Sequence, residues 1–260
     1  MVEAVPVTSF NLARLRRQIK PFRLHWFPRL GSTSDHAAAL RKRGDLYAPA
    51  VVLTAHQLAG RGRGSNTWWS GPGCLTVTFV FPIDDQLAPH QIPLISGVAV
   101  RRAAVEQCGD DAIQLKWPND LLHHGRKIAG LLCERVHKAD LIGLGLNVNL
   151  DPPQAPPALR ERLTSLSVIA GRELDMTDAV ATVARHLYRM LAHREEQPFS
   201  QLLRDYDANH ALIGRRVTVT GAGENGPVTG RCEGLDETGR LLLRDRNTLH
   251  RVIAGQVRVD

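Results

Sequence analysis

The residues best equipped for chemistry fall in four short clusters. Gly60-Arg61-Gly62-Arg63-Gly64 has a glycine at every second position, which predicts neither a buried strand nor a helix. Backbone without Cβ curls freely and exposes its N–H groups, and two arginines add permanent charge, a combination suited to phosphate. A solvated basic turn is the competing reading; the tandem Trp68-Trp69 follows closely, and Trp68 is read as an anchor for the loop. Lys116-Trp117-Pro118-Asn119-Asp120 ends a strand on a cation and an aromatic, turns at the proline and projects two short polar side chains. Lys127 opens Lys127-Ile128-Ala129-Gly130, where a lysine either guards a strand edge or faces an anion. Gly143-Leu144-Gly145-Leu146-Asn147-Val148-Asn149 reads as a strand whose glycines admit a close neighbour, a substrate or another backbone.

These clusters need elements to position them. Phe22 to Phe27 reads as a strand, and Ser32-Thr33-Ser34-Asp35 caps a helix from about His36 to Arg43 that stops at Gly44. Val51 to Thr54 is a compact strand feeding the glycine–arginine loop, and Leu75 to Phe81 alternates as a half-buried strand. Ile92 to Gln107 has helical spacing and ends at Gly109. Three strands follow, Ile113 to Trp117, Lys127 to Val136 and Leu141 to Val148, with His123-His124 in a turn between the first two. Their near-hairpin spacing argues for a mixed or antiparallel sheet rather than a doubly wound one. Asp151 to Pro157 holds four prolines and reads as a linker or rigid turn. Helices are expected over Thr177 to Arg194 and Ser200 to Asn209. From Ile213 onward, short Val- and Leu-rich segments punctuated by glycines, Gly223 among them, predict a small β-barrel.

Composition narrows the class. The chain has 260 residues, 43% apolar and 23% charged, room for one large α/β domain with a smaller appendage. Four scattered cysteines without a CxxC pair argue against a zinc ribbon or a disulfide framework, and reduced thiols suit a cytoplasmic protein. The first twenty residues hold no continuous apolar stretch, so no secretory signal is expected, and no apolar run is long enough for a membrane helix. The net charge of +7 raises nucleic acid as a partner, but the arginines are dispersed and aromatics make up 5% of the chain.

Taken together, Ser32-Thr33, Gln57 with Gly60 to Arg63, Lys116 to Asp120, Lys127 to Gly130 and Gly145 to Val148 resemble the biotin–protein ligases in order and spacing. Gly234-Leu235-Asp236 and Gly239 to Leu242 resemble that family's C-terminal barrel. The resemblance implies an α+β fold: a mixed or antiparallel sheet with flanking helices in a class II synthetase-like catalytic domain (22–210), a small SH3-like C-terminal β-barrel (211–260) and a leader (1–21). It implies ATP and biotin as substrates with Mg2+, formation of biotinyl-5′-AMP and pyrophosphate, and transfer of biotin to a lysine of the biotin carboxyl-carrier protein of acetyl-CoA carboxylase. Neither step needs an enzyme nucleophile, in keeping with the lack of a Ser-His-Asp or Cys-His signature.

By the same resemblance, Lys127 and Arg63 are the catalytic residues. Ser32, Thr33, Ser34, Gln57, Arg61 and Gly62, with those two, contact biotin or its adenylate. Lys116, Trp117, Asn119, Asp120 and Asn147 contact ATP, and Asp120 holds magnesium. Ser34 is equally a plain helix cap, and Asp120 equally a turn residue. The glycine loop is expected to order over the ligand.

Two departures stand out. The family continues with a further Gly-Arg pair where this chain reads Gly64-Ser65-Asn66-Thr67, and Ser34 stands where asparagine is common. Arg14, Arg16 and Arg17 are read as a solvated leader too short for a winged-helix DNA-binding domain, which predicts a monofunctional ligase without DNA binding. A homodimer is compatible with a free sheet edge. The alternatives are a lipoate or octanoate ligase or transferase, and a basic nucleic-acid-binding protein.

Overall fold

The structure, a computed structural model, describes residues 10–193, 198–222 and 226–260. Residues 1–9 of the expected leader, the final residue of the helix expected to reach Arg194, and Gly223 lie outside them. In chain order come α1 (Leu12–Gln18), β1 (Arg23–Leu30), α2 (Thr33–Arg43), β2 (Ala50–Gln57), β3 (Gly60–Arg61), β4 (Thr67–Trp68), β5 (Cys74–Pro82) and α3 (Ile92–Cys108). Then follow β6 (Ile113–Lys116), β7 (Asp120–His123), β8 (Arg126–Val136), β9 (Ala139–Asn147), α4 (Pro157–Arg160), α5 (Leu166–Ala170), α6 (Met176–Ala192) and α7 (Phe199–Ala208). Strands β10 (Arg216–Thr220), β11 (Val228–Leu235), β12 (Leu241–Asp245), β13 (Thr248–Val252) and β14 (Gln256–Val259) form the C-terminal module.

Seven strands make the main sheet in the order β1-β2-β5-β9-β8-β7-β6, with β1 and β2 parallel and every other pair antiparallel. The mixed α+β architecture is thus the expected one, and the C-terminal strands form an antiparallel sheet, β13-β12-β11-β10-β14.

The alternation of side chains along β5 and β9 sorts the molecule into layers. Leu75, Val77 and Phe79 of β5 and Ile142, Leu144 and Leu146 of β9 join the large core with α3 and α6. The opposite face carries Val80 and Leu141, which pack under Ala37 and Leu40 of α2. Because helices lie on both faces, β5 is buried on both: Thr76 and Thr78 are 2% and 0% exposed, not the solvent-facing half of a half-buried strand. Phe22 ties the layers together by edge-on contacts with Phe79, Phe81 and Tyr188, ring centroids 5.3–5.8 Å apart.

Three further expectations are revised. The residues around Arg14 form α1 rather than a wholly solvated leader: Leu15 is fully buried and Arg14 bonds Asp175 at the start of α6, while Arg16 and Arg17 are exposed as expected. A fourth strand, β7, lies between the first two of the three expected ones. His123 therefore belongs to a strand and bonds Asp110 at 2.9 Å, while His124 and Gly125 make the turn at positive φ. The proline-rich stretch is partly helical: a 3-10 turn over Pro152–Gln154 leads into α4.

Candidate active site

On the α2 side of the sheet, β9 continues its alternation past Leu141 with Gly143, Gly145 and Asn147. Leucine gives way to glycine where α2 ends, and a cleft of about 600 Å³ opens over the bared strands. The glycines matter sterically. A Cβ on Gly145 would collide with the Trp68 indole, and one on Gly143 with Ser34 Oγ. Gly130 of β8 is nearly as confined, since a Cβ there would lie 3.1 Å from the Lys127 ammonium end and 3.2 Å from Trp68. All thirteen residues that the resemblance singles out line this one cleft.

One end of the cleft is neutral and buried. Ser32 caps α2, accepting from the Asp35 N–H at 3.3 Å, and its turn brings Thr33 and Ser34 under the floor. Gln57, last residue of β2, accepts from the Thr33 N–H at 2.9 Å and from the Thr33 hydroxyl at 3.3 Å. Behind them Thr78 of β5 bonds Thr33 Oγ1 at 2.9 Å and Ser34 Oγ at 3.1 Å. Thr78 escapes a sequence reading, because only the register of β5 against β9 and the position of α2 bring it there.

The glycine–arginine stretch forms a hairpin that covers the cleft, a correction to its reading as loop: Gly60 and Arg61 pair with Trp68 and Thr67. The turn closes by Gly62 N–H to the Asn66 carbonyl at 2.8 Å and by the Asn66 side-chain amide to the Arg63 carbonyl at 3.0 Å. Asn66, where the family pattern differs, thus has a structural role in this chain.

The two arginines point opposite ways. Arg61 is held by Asp35 through Nε at 2.8 Å and by Glu134 through both Nη atoms, at 3.1 and 2.7 Å. The hydrogen bond to Glu134 raises its pKa further. Three of its five N–H groups are thereby occupied. Arg63 meets neutral partners, Asn119 Oδ1 at 3.5 Å and the Gly255 carbonyl of the C-terminal module at 3.2 Å, and burial lowers its pKa. A guanidinium held by neutral acceptors keeps its net charge for an anion.

Opposite the hairpin, the Lys-Trp-Pro-Asn-Asp cluster bends from β6 to β7 across a cis Trp117–Pro118 bond. Asn119 is fixed by its amide to the Leu131 carbonyl at 2.6 Å, and Trp117 is buried in the core. Asp120 pairs with Lys127 at 2.6 Å, and the Lys127 ammonium also lies 5.6 Å from the Trp68 ring centroid. Lys116 has its pKa lowered, chiefly by burial; the Asp120 carboxylate opposes the shift, and the nearby cations Lys127, Arg162 and Arg215 add to it. Asn147 turns its amide inward, donating to the Lys127 carbonyl at 3.3 Å and the Thr164 carbonyl at 3.0 Å, so it ties β9 to the start of β8.

Residues absent from the sequence reading complete the walls. Leu159, Arg162 and Leu163 follow the proline-rich turn, and Gly255 to Val257 come from the C-terminal module. The first group is fixed by a short parallel bridge, Lys127 N–H to the Arg162 carbonyl at 2.8 Å and Thr164 N–H to the Lys127 carbonyl at 3.1 Å. Nothing local in the sequence announces that pairing. Cys74 lies behind the site, its thiol pushed up to about 12 by burial, which makes it inert as a nucleophile. Among the described residues no cluster of three His, Cys, Asp or Glu side chains could hold a metal ion, and no helix is long and apolar enough to cross a membrane.

Comparison with known proteins agrees with this arrangement. Residues 26–151 match the biotin/lipoate A/B protein ligase family, and residues 212–258 match the biotin protein ligase C-terminal domain. A biotin–[acetyl-CoA-carboxylase] ligase of Paracoccus denitrificans is 30% identical over 226 residues, 81% of this chain and 90% of that protein. A bifunctional ligase/repressor of Bacillus subtilis is also 30% identical, over 80% of this chain, and the match spans 65% of its length. The biotin protein ligase of Aquifex aeolicus, solved with biotin and ATP, superposes with a TM-score of 0.79 at 26% identity, covering 92% of this chain and 98% of that one.

Proposed function

This chain belongs to the biotin protein ligase family, and from that premise we propose that it joins biotin to ATP as biotinyl-5′-AMP, releasing pyrophosphate, and then transfers biotin to a lysine of the carboxyl-carrier protein of acetyl-CoA carboxylase. One observation carries the reading: a neutral, hydroxyl-lined pocket and a cationic wall meet in one cleft under the glycine–arginine hairpin. The neutral end suits an uncharged polar ring, with Ser32, Thr33, Ser34 and Gln57 as its contacts. The cationic wall suits a triphosphate.

In the first step, biotin's carboxylate oxygen attacks the α-phosphorus, the new O–P bond forms and the bond to the pyrophosphate oxygen breaks. Lys127 neutralises charge that develops on the carboxylate and α-phosphate oxygens, and ion pairing with Asp120 keeps its ammonium aimed into the cleft. Arg63 binds the anionic linkage from above, on a turn that the Gly62 N–H closes by bonding the Asn66 carbonyl. Arg61, tethered by Asp35 and Glu134, holds the hairpin down and reaches ligand with its remaining N–H groups. Lys116, Trp117 and Asn119 shape the nucleotide side, and Asn147 positions Lys127 through its carbonyl. In the second step, the carrier's lysine amine attacks the activated carbonyl and AMP leaves with the bonding pair. Holding both reactants in line contributes as much as roughly 7–11 kcal/mol, and the hairpin keeps water from the mixed anhydride.

Magnesium fits the chemistry of the donors. Its usual sites pair one or two carboxylates with substrate phosphates and water, and Asp120 supplies one carboxylate on the cleft wall. Bound there, the ion would neutralise triphosphate charge.

The test is ATP–pyrophosphate exchange with the purified chain. Biotin stimulates it and lipoate does not if the reading holds; stimulation by lipoate alone would transfer the chain to the other branch of the family. Biotinylation of an added carrier domain then tests the second step.

A further inference from the structure

We propose that Thr78 fixes the hydrogen-bond polarity of the neutral end of the cleft, making it a specificity-determining positioning residue that selects a ring presenting an N–H and an accepting carbonyl, as a cyclic urea does. The inference rests on the ligase reading above and names how the pocket tells one polar ring from another.

The argument is one of proton counting. The backbone N–H of Thr33 points at one terminal atom of the Gln57 amide from 2.9 Å, so that atom must be the oxygen, which only accepts. The Thr33 hydroxyl, 3.3 Å from the same oxygen, must therefore donate to it and has spent its single proton. Thr78, 2.9 Å from Thr33 Oγ1, donates in turn and has spent its own. Ser34, 3.1 Å from Thr78 Oγ1, is left to donate there. The chain of hydroxyls runs Ser34 to Thr78 to Thr33 to Gln57, with every proton pointing the same way.

The consequence lies at the two ends, both on the cleft wall. Ser34 Oγ turns lone pairs but no proton toward a ligand. The Gln57 amide nitrogen offers one N–H, its other being within 3.4 Å of Ser70 Oγ. One end accepts and the other donates, a preset match for a ring N–H beside a carbonyl. Thr78 is fully buried, so water has no access to reverse the order. It also accounts for serine at position 34: a hydroxyl there acquires a fixed orientation only because Thr78 takes its proton.

The experiment measures binding of biotin and of two cyclic-carbamate analogues, each with one ring N–H replaced by oxygen, to the wild-type chain, Thr78→Val and Thr78→Ser. The proposal expects wild type to bind one carbamate about tenfold more weakly than biotin. Valine keeps the shape but frees the Ser34 proton to turn toward the ligand. Biotin then weakens about tenfold and the penalty on that carbamate falls below about threefold. Thr78→Ser restores both values. Biotin affinity and analogue preference unchanged in Thr78→Val, at an unchanged melting temperature, would overturn the relay and leave the ligase reading standing. A Thr78→Ser chain behaving like Thr78→Val overturns it as well, since loss of packing alone would then explain both. No biotin binding by wild type removes the ligase reading itself.

Discussion

The two ends of the cleft are built on opposite principles. At the neutral end Thr33 and Ser34 are 3% and 5% exposed; Thr33 bonds Gln57, and Thr78 joins Thr33 to Ser34. At the cationic end Arg63 rests on neutral acceptors, and Lys116 remains partly exposed beside other cations. Satisfied hydroxyls define a ring shape that the pocket accepts without rearrangement. Cations gathered around the one carboxylate of Asp120 leave net positive charge, so binding strength is expected from the second end and discrimination from the first.

Breaking the cationic end gives the largest effects. Lys127→Ala is expected to lower adenylate formation by roughly 10²–10³-fold, the usual cost of losing a donor at developing charge. Biotin-dependent pyrophosphate exchange reads this directly, and an unchanged exchange rate would remove Lys127 from its assigned role. Arg63→Gly should leave the floor intact yet let biotinyl-AMP escape about 10- to 100-fold faster, the worth of a hydrogen bond to a charged group. Trapping of released adenylate by a free amine measures it.

Gly145→Ala tests the shared floor. The added methyl meets the Trp68 indole, and such overpacking costs about 1–3 kcal/mol. Loss of affinity for biotin and ATP together, by titration calorimetry, is the expected mark of a floor serving both ends.

A smaller effect concerns pH. Burial holds the Lys116 pKa below the ordinary lysine value of 10.5, so the fold gains stability as pH climbs from that lowered value toward 10.5. A bound triphosphate favours the protonated form and lifts the pKa back. ATP binding should therefore take up protons in that alkaline window and weaken as pH rises through it, which calorimetry in buffers of different ionisation enthalpy detects. The smallest effect is Glu134→Gln. The Arg61 side chain is 39% exposed, solvent screens the pair, and about 0.5 kcal/mol of hairpin anchoring is at stake. Its signature is a slightly faster adenylate release that high salt reproduces in the wild type.

How much of this was legible in the sequence follows the range of each interaction. The stops of α2 at Gly44 and of α3 at Gly109 were readable because capping is local, whereas α2 begins at Thr33 under a Ser32 cap, earlier than the expected start near His36 with Ser34 as its cap. The motif residues were readable as a group, and they do share one cleft. Burial of Thr78 was not, since it depends on α2 lying over a face of β5 that alternation alone assigns to solvent. The hairpin was missed because alternate glycines signal freedom, whereas Asn66 and the pairing of Gly60 with Trp68 restrict it. Leu159 to Leu163 were missed because a four-proline stretch resembles a spacer, and its pairing partner is Lys127, far back in the chain.

The contact between Arg63 and the Gly255 carbonyl spans 192 positions of sequence. During synthesis, at about 5–20 residues per second, the ribosome therefore exposes the arginine many seconds before the oxygen that steadies it. A nascent ligase would meet its vitamin with a half-fastened roof, and translation of the last module is what completes the enclosure. Grafting a C-terminal module from a distant relative would have to reproduce the height of that single carbonyl above the cleft, whatever else it preserved.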